Sequence, residues 1–132
     1  MPNRTTSSVM TSPVITIEKT QSTNDAIRLM AGKHISGVLV VDSKGQPNGF
    51  LSQNDILRAL SGNQDESTTL NAFLNTDVGS LMTPSVISCT INTPLAEVRR
   101  EMRARRIHRL VVMDEAGQVA GLVSTSDLIA IN

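Results

Sequence analysis

Along the chain, short apolar runs alternate with apolar residues at helical spacing, and the whole succession occurs twice. Val14-Ile-Thr-Ile17 and Val86-Ile-Ser-Cys89 are β-branched runs of strand type. Behind them, Ala26, Leu29 and Met30 in one stretch, and Leu95, Val98 and Met102 in the other, recur at the spacing of a helix face. Ser22 with Asp25 three residues on reads as a capping box, and Thr93 before Pro94 places a proline at the first helical position. Val38-Leu-Val-Val41 and Leu110-Val-Val-Met113 are continuously apolar, which predicts strands buried on both faces. Asp42-Ser-Lys-Gly45 and Asp114-Glu-Ala-Gly117 supply turn residues, so Gly49-Phe-Leu51 and Gly121-Leu-Val123 each close a hairpin. A final helix is expected from Ser52 and from Ser124.

An offset of 72 residues superposes the two stretches without a gap. It aligns Met10-Thr11 with Met82-Thr83, Asp42 with Asp114, Gly45-Gln46 with Gly117-Gln118, Gly49 with Gly121, and the pair Ser52/Asp55 with Ser124/Asp127. Residues 9–60 match 81–132 at 14 of 52 positions, whereas unrelated segments share about one position in fifteen. The chain is therefore a duplication. The expected organisation is a first repeat over 8–60, a linker over 61–78 and a second repeat over 79–132. Ser61 to Ser67 is polar, and Leu70 to Leu74 is expected to form a helical turn. Each repeat reads as β-α-β-β-α, an α/β (α+β) unit. At about 50 residues such a unit is marginal alone. The copies are expected to pack on each other about a pseudo-twofold axis, with paired clefts between them.

With 39% hydrophobic residues but only two Phe and no Trp or Tyr, the core must be aliphatic. Base stacking on aromatics is then unavailable as a binding device. Twelve basic residues balance twelve acidic ones, which argues against a surface committed to nucleic acid or anionic lipid. The single cysteine, Cys89, excludes an internal disulfide framework. No apolar run approaches the ~18 residues of a membrane span, and the opening residues lack the apolar core of a signal peptide. A soluble, cytoplasmic protein is the expectation.

The strand-Asp-Gly-Ser-x-x-Asp run in each copy, with the Met-Thr that precedes it, resembles the CBS domain pair, or Bateman module, over Ser8 to Asn132. The second copy, IHRLVVMDEAGQVAGLVSTSDLIAI, is similar to the nucleotide-sensing repeats in the gamma subunit of the AMP-activated protein kinase. The resemblance implies a regulatory module that binds adenine nucleotides, commonly dimerises into a flat disc and acts on another protein. It assigns Asp to the ribose, hydroxyls and basic groups to phosphate, and backbone near the first strand of the other copy to adenine. One nucleotide site is then expected from Thr11, Ser12, Val14 and Ile15 with His108, Arg109, Ser124, Ser126 and Asp127. A second, weaker one combines Thr83, Val86 and Ile87 with Ser36, Ser52, Asn54 and Asp55.

Ser124-x-x-Asp127 has two readings. It can be a capping box worth about 1 kcal/mol. It can also present a carboxylate to the ribose 2′- and 3′-hydroxyls, while the helix start favours a phosphate. The two sites differ in that His108 and Arg109 align with Ser36 and Gly37. Loss of a charge-assisted contact of about 1.5–3 kcal/mol weakens the first-copy motif at least tenfold; Lys33 and His34 lie near enough to compensate.

Within Arg99 to Arg109, Arg99, Arg103 and Arg106 are expected on the solvated face of an amphipathic helix, and Arg105, Arg106 and Arg109 near a cleft. Nucleic-acid binding is a minor alternative, and Cys89 reads as packing. The histidines lack metal-ligand spacing, no motif of catalysis is present, and neither a metal nor a cofactor is expected. A ligand-free dimerisation or interaction scaffold, in which both Ser-x-x-Asp motifs are only caps, is the alternative of a different class. S-adenosylmethionine and NADH are alternative ligands.

Overall fold

The computed structural model describes residues 4–62, 69–84 and 86–129. Two compact units are formed, and they do not follow the repeat boundaries. A contiguous unit comprises residues 15–85, and a split unit joins the described residues of 1–14 to those of 86–132. The contiguous unit carries β1 (Thr16–Glu18), α1 (Thr23–Lys33), β2 (Gly37–Val41), β3 (Pro47–Ser52), α2 (Gln53–Gly62), α3 (Leu70–Leu74) and α4 (Val78–Leu81). The split unit opens with a 3-10 turn at Thr6–Ser8 and continues with β4 (Ser88–Thr90), α5 (Leu95–Arg105), β5 (Arg109–Met113), β6 (Val119–Ser124) and α6 (Thr125–Ile129).

Each unit holds a three-stranded sheet in chain order, whose first pair is parallel and second antiparallel. The registers repeat at the same offset: Thr16 lies opposite Leu39 and Gly37 opposite Ser52, as Ser88 lies opposite Val111 and Arg109 opposite Ser124. The hairpins show why Asp-x-x-Gly recurs. Asp42 Oδ1 accepts the backbone N–H of Lys44 at 2.9 Å and of Gln46 at 3.0 Å, and Asp114 Oδ1 accepts those of Ala116 and Gln118, both at 2.9 Å. Gly45 and Gly117 then turn the chain at φ of 80° and 79°, a left-handed conformation that glycine adopts without steric penalty.

In the contiguous unit Ala26 and Met30 of α1, Val38 and Val40 of β2, Leu51 of β3 and Ile56 of α2 bury against one another and against Ile17, Phe73 and Val78. The split unit repeats the arrangement with Leu95, Val98, Met102, Leu110, Val112, Val123 and Leu128. Leu39 and Val41 alternate with Val38 and Val40 and are buried too, as expected for a strand covered on both faces.

The helix starts are partly as expected. Ser22 and Asp25 close a reciprocal capping box on α1. Pro94, however, is the N-cap of α5 rather than its first residue, and the Thr93 hydroxyl is turned back to accept the Thr90 N–H at 3.0 Å. The first strand of each sheet begins two residues later than the apolar run. Ile15 and Ile87 stand outside the ladder, each giving one carbonyl, to the N–H of Leu39 and Val111 respectively. The third strands are longer than expected, since the ladder includes the residues flanking the apolar trio.

Most of the expected linker is structural. Residues 63–68 lie outside the described part, but α3 forms where the sequence places a helical turn, with the Thr69 hydroxyl accepting the Ala72 N–H. Phe73 and Val78 then enter the first core. At the other boundary, residues 4–11, which run into the start of the first repeat, serve the second. Leu95 donates to the Arg4 carbonyl, Thr6 and Ser7 donate to Thr93 and Ile91, and Thr11 exchanges two bonds with Leu122 at 2.7 and 3.0 Å. Thr83 pairs with Phe50 in the same way in the contiguous unit. This close approach explains the repeated glycines. A Cβ on Gly121 would lie 2.7 Å from Met10 Sδ and 2.9 Å from the Thr11 carbonyl, and one on Gly49 would run into the Thr83 carbonyl.

Candidate ligand-binding site

Thr11, Ser12, Val14, His108, Arg109, Ser124, Ser126 and Asp127 all belong to the split unit, while Ile15 belongs to the contiguous unit. The contiguous unit contains Ser36, Ser52, Asn54, Asp55 and Thr83, and Val86 and Ile87 fall in the split unit. In each unit the Ser-x-x-Asp pair stands at the junction of the third strand and the helix that follows it.

In the split unit, β6 ends at Ser124 and α6 begins at the next residue. The junction is fixed by Thr125, whose N–H and hydroxyl both donate to the His108 carbonyl, at 3.0 and 3.4 Å. This places His108, exposed, immediately before β5, with half-buried Arg109 opposite Ser124 in the ladder. Thr11 runs beside β6 two residues upstream, and the peptide from Ser12 to Pro13 is cis. Ser126 stands exposed on the first turn of α6.

The cap reading of Ser-x-x-Asp is realised in both units. Asp127 Oδ2 accepts the Ser124 N–H at 2.8 Å and its hydroxyl at 3.1 Å, and the Asp127 N–H points to Ser124 Oγ at 3.4 Å. Asp55 Oδ2 accepts the Ser52 N–H at 2.8 Å and its hydroxyl at 3.0 Å. The second carboxylate oxygen separates the copies. Asp55 Oδ1 is taken by Arg58 at 2.6 Å and approached by the Thr83 hydroxyl at 3.5 Å. Among the described residues Asp127 Oδ1 has no such partner. The residue aligned with Arg58 is Ala130, which carries no charge. One carboxylate thus caps its helix and keeps an acceptor open, while the other is consumed on both sides.

Arg58 was not among the expected site residues, although its spacing three after Asp55 on a helix is that of an ion pair. Of the arginines expected near a cleft, Arg105 is held by Glu101 at 2.7 Å. Arg106 is the left-handed C-cap of α5, as His34 is of α1. Cys89 packs half-buried against the second core with its thiol 4.0 Å from the Thr6 hydroxyl, and burial pushes that thiol above its ordinary range. No group of three or more His, Cys, Asp or Glu among the described residues could hold a metal ion, and no described helix is long and apolar enough to cross a membrane.

The CBS domain family matches residues 7–62 and 78–131. The chain belongs to that family, as a tandem pair. It is 29% identical over 131 residues, 89% of this chain, to the SNF1-related protein kinase regulatory subunit gamma-1 of Arabidopsis thaliana. It spans 31% of that subunit's length, and 23% and 40% of two other curated relatives. Among solved structures, CBSX2 in complex with AMP superposes with a TM-score of 0.74 at 26% identity, covering 96% of this chain and 93% of that one. A CBS domain pair in complex with 5′-methylthioadenosine and S-adenosyl-L-methionine gives a TM-score of 0.79 at 23% identity, covering 98% and 96%. The fold is that of a CBS pair, a regulatory ligand-binding module.

Proposed function

We propose that this CBS pair senses an adenine nucleotide, AMP, ADP or ATP, through the Asp127 motif of the split unit and passes occupancy to another protein. The observation that carries the reading is the open Oδ1 of Asp127. A carboxylate oxygen beside exposed hydroxyls and a basic pair suits a ribose next to a phosphate. The AMP complex of CBSX2 supports the same ligand class. Asp55, with both oxygens engaged, marks the weaker site. We assign the chain no catalysis: its output is a shift between conformations that bind the ligand unequally.

The test is calorimetric titration of AMP, ADP, ATP, NADH and S-adenosylmethionine into the chain and into Asp127→Asn. The asparagine keeps a carbonyl to cap Ser124 but replaces the open oxygen by a donor. A loss of about tenfold or more in nucleotide affinity with an unchanged melting temperature is expected. Unchanged affinity refutes the assignment, and no binding of any ligand to the folded chain leaves the scaffold reading, in which both motifs are only caps. Tighter binding of S-adenosylmethionine or NADH than of any adenine nucleotide redirects the ligand while keeping the site.

We further propose self-association through the helical face of the contiguous unit, where Ile27, Leu57 and Leu60 are 37%, 58% and 43% exposed. Light scattering is expected to show a dimer that Leu57→Glu converts to a monomer.

A further inference from the structure

Helix α5 has three distinct faces. Leu95, Val98 and Met102 are buried in the core. Glu97 and Glu101 line a depression of about 340 Å³ that also contains Arg105. The third face carries Arg99, Arg103 and Arg106, and with His108 these line an open groove of about 620 Å³ toward α6, floored by Ile107 and Leu128. Among the described residues no acidic side chain lines this groove, and none pairs with any of the three arginines.

We propose that this groove binds a chain of three or more linked phosphates. Arg99 and Arg103 stand one turn apart on α5, about 6 Å along a helix rising 1.5 Å per residue, and Arg106, the C-cap that ends the helix, extends the same basic edge of the groove. A single phosphate reaches the ends of such a row only by folding long side chains inward, whereas a linear oligophosphate meets each guanidinium in turn through charge-assisted bonds. The duplication supplies an internal control. On the same backbone, the positions of Met102, Ile107 and Leu128 are filled by Met30, Ile35 and Ile56, so the apolar frame is kept. The positions of Arg99, Arg103, Arg106 and His108 are filled by Ile27, Ala31, His34 and Ser36. The fold is therefore built equally well without the arginines, and three guanidinium groups within about a Debye length repel one another unless an anion neutralises them. The phosphates can be inorganic or borne by a nucleotide, and the groove requires no ribose.

The experiment is titration of phosphate, pyrophosphate, tripolyphosphate and ATP into the full chain, Arg99→Ala/Arg103→Ala and Asp127→Asn, with melting temperatures recorded for each. Affinity is expected to rise from phosphate to tripolyphosphate. The double variant is expected to lose about tenfold or more in tripolyphosphate affinity while leaving AMP binding intact, and Asp127→Asn the reverse. ATP held through its phosphates follows the double variant, and ATP held through its ribose follows Asp127→Asn. The exposed arginines are not needed for folding, so the double variant is expected to keep the parent's melting temperature in the absence of ligand. Tripolyphosphate bound no more tightly than phosphate, or unaffected by the double variant, overturns the proposal without touching the nucleotide reading.

Discussion

Asp127 and Asp55 show how little of a carboxylate's environment its motif determines. The same tetrapeptide makes the same cap twice, and the difference lies in a residue outside it, Arg58, whose counterpart is Ala130. The two readings of Ser-x-x-Asp in the sequence are in fact compatible, because a cap needs one oxygen and a carboxylate has two. Sequence alone could not reveal this, since which oxygen turns which way is a matter of rotamer. Asp42 is a third carboxylate with a defined task. The N–H of Gln46 holds it below the ordinary carboxylate range against the opposing desolvation, helped to a lesser extent by the N–H of Lys44 and the charges of Lys19 and Lys44. A depressed folded value means stability that is present at neutral pH and is lost as pH falls through the carboxylate range. Asp42→Asn keeps an acceptor but no charge. Its melting temperature is expected to lie below that of the parent at pH 7 and to converge with it below about pH 4, as followed by circular dichroism.

At the scale of elements, the apolar pattern was sufficient for the β-α-β-β-α core of each repeat, because each of those elements buries one recognisable face or stripe, but it did not reveal the short helix α4 or the 3-10 turn at Thr6–Ser8. Its errors fall at ends. Parallel strands beside a crossover are bonded from one side, so Val14-Ile15 and Val86-Ile87 look like strand and lie outside the ladder. Pro94 suits a cap as well as a first turn. The repeated glycines were legible as repeats but not as contacts, since the Met-Thr segment that touches each lies far off in the chain, Thr83 34 residues after Gly49 and Thr11 110 residues before Gly121. Gly121→Ala is expected to destabilise the chain by about 1–3 kcal/mol, and Gly49→Ala by more, because its Cβ meets a backbone carbonyl rather than chiefly a flexible Met side chain. Urea unfolding of the two variants checks the order.

At the scale of the molecule, periodicity identified two copies but not their exchange of leading segments. Nothing in the composition of Arg4 to Thr11 says that it pairs with Thr93 and Leu122 rather than with the repeat it precedes. Pairing of this kind is specified by backbone hydrogen bonds and a glycine-lined approach, which leave no hydrophobic period. Deleting residues 1–12 is therefore expected to expose the split unit selectively. Amide hydrogen exchange at Leu95 and Leu122, whose N–H groups bond to Arg4 and Thr11, should accelerate by orders of magnitude, while Leu39 in the contiguous unit keeps its protection.

The split unit also imposes an order on synthesis. Thr11 is made about 110 residues before its partner Leu122, a wait of roughly 5–20 s at about 5–20 residues per second. The contiguous unit has all its strands by Ser52 and its closing helices by Leu81, so it can form while the first segment is still unpartnered. Stalling translation before β6 should therefore yield a nascent chain that is protease-resistant over the contiguous unit and cleavable around Thr11.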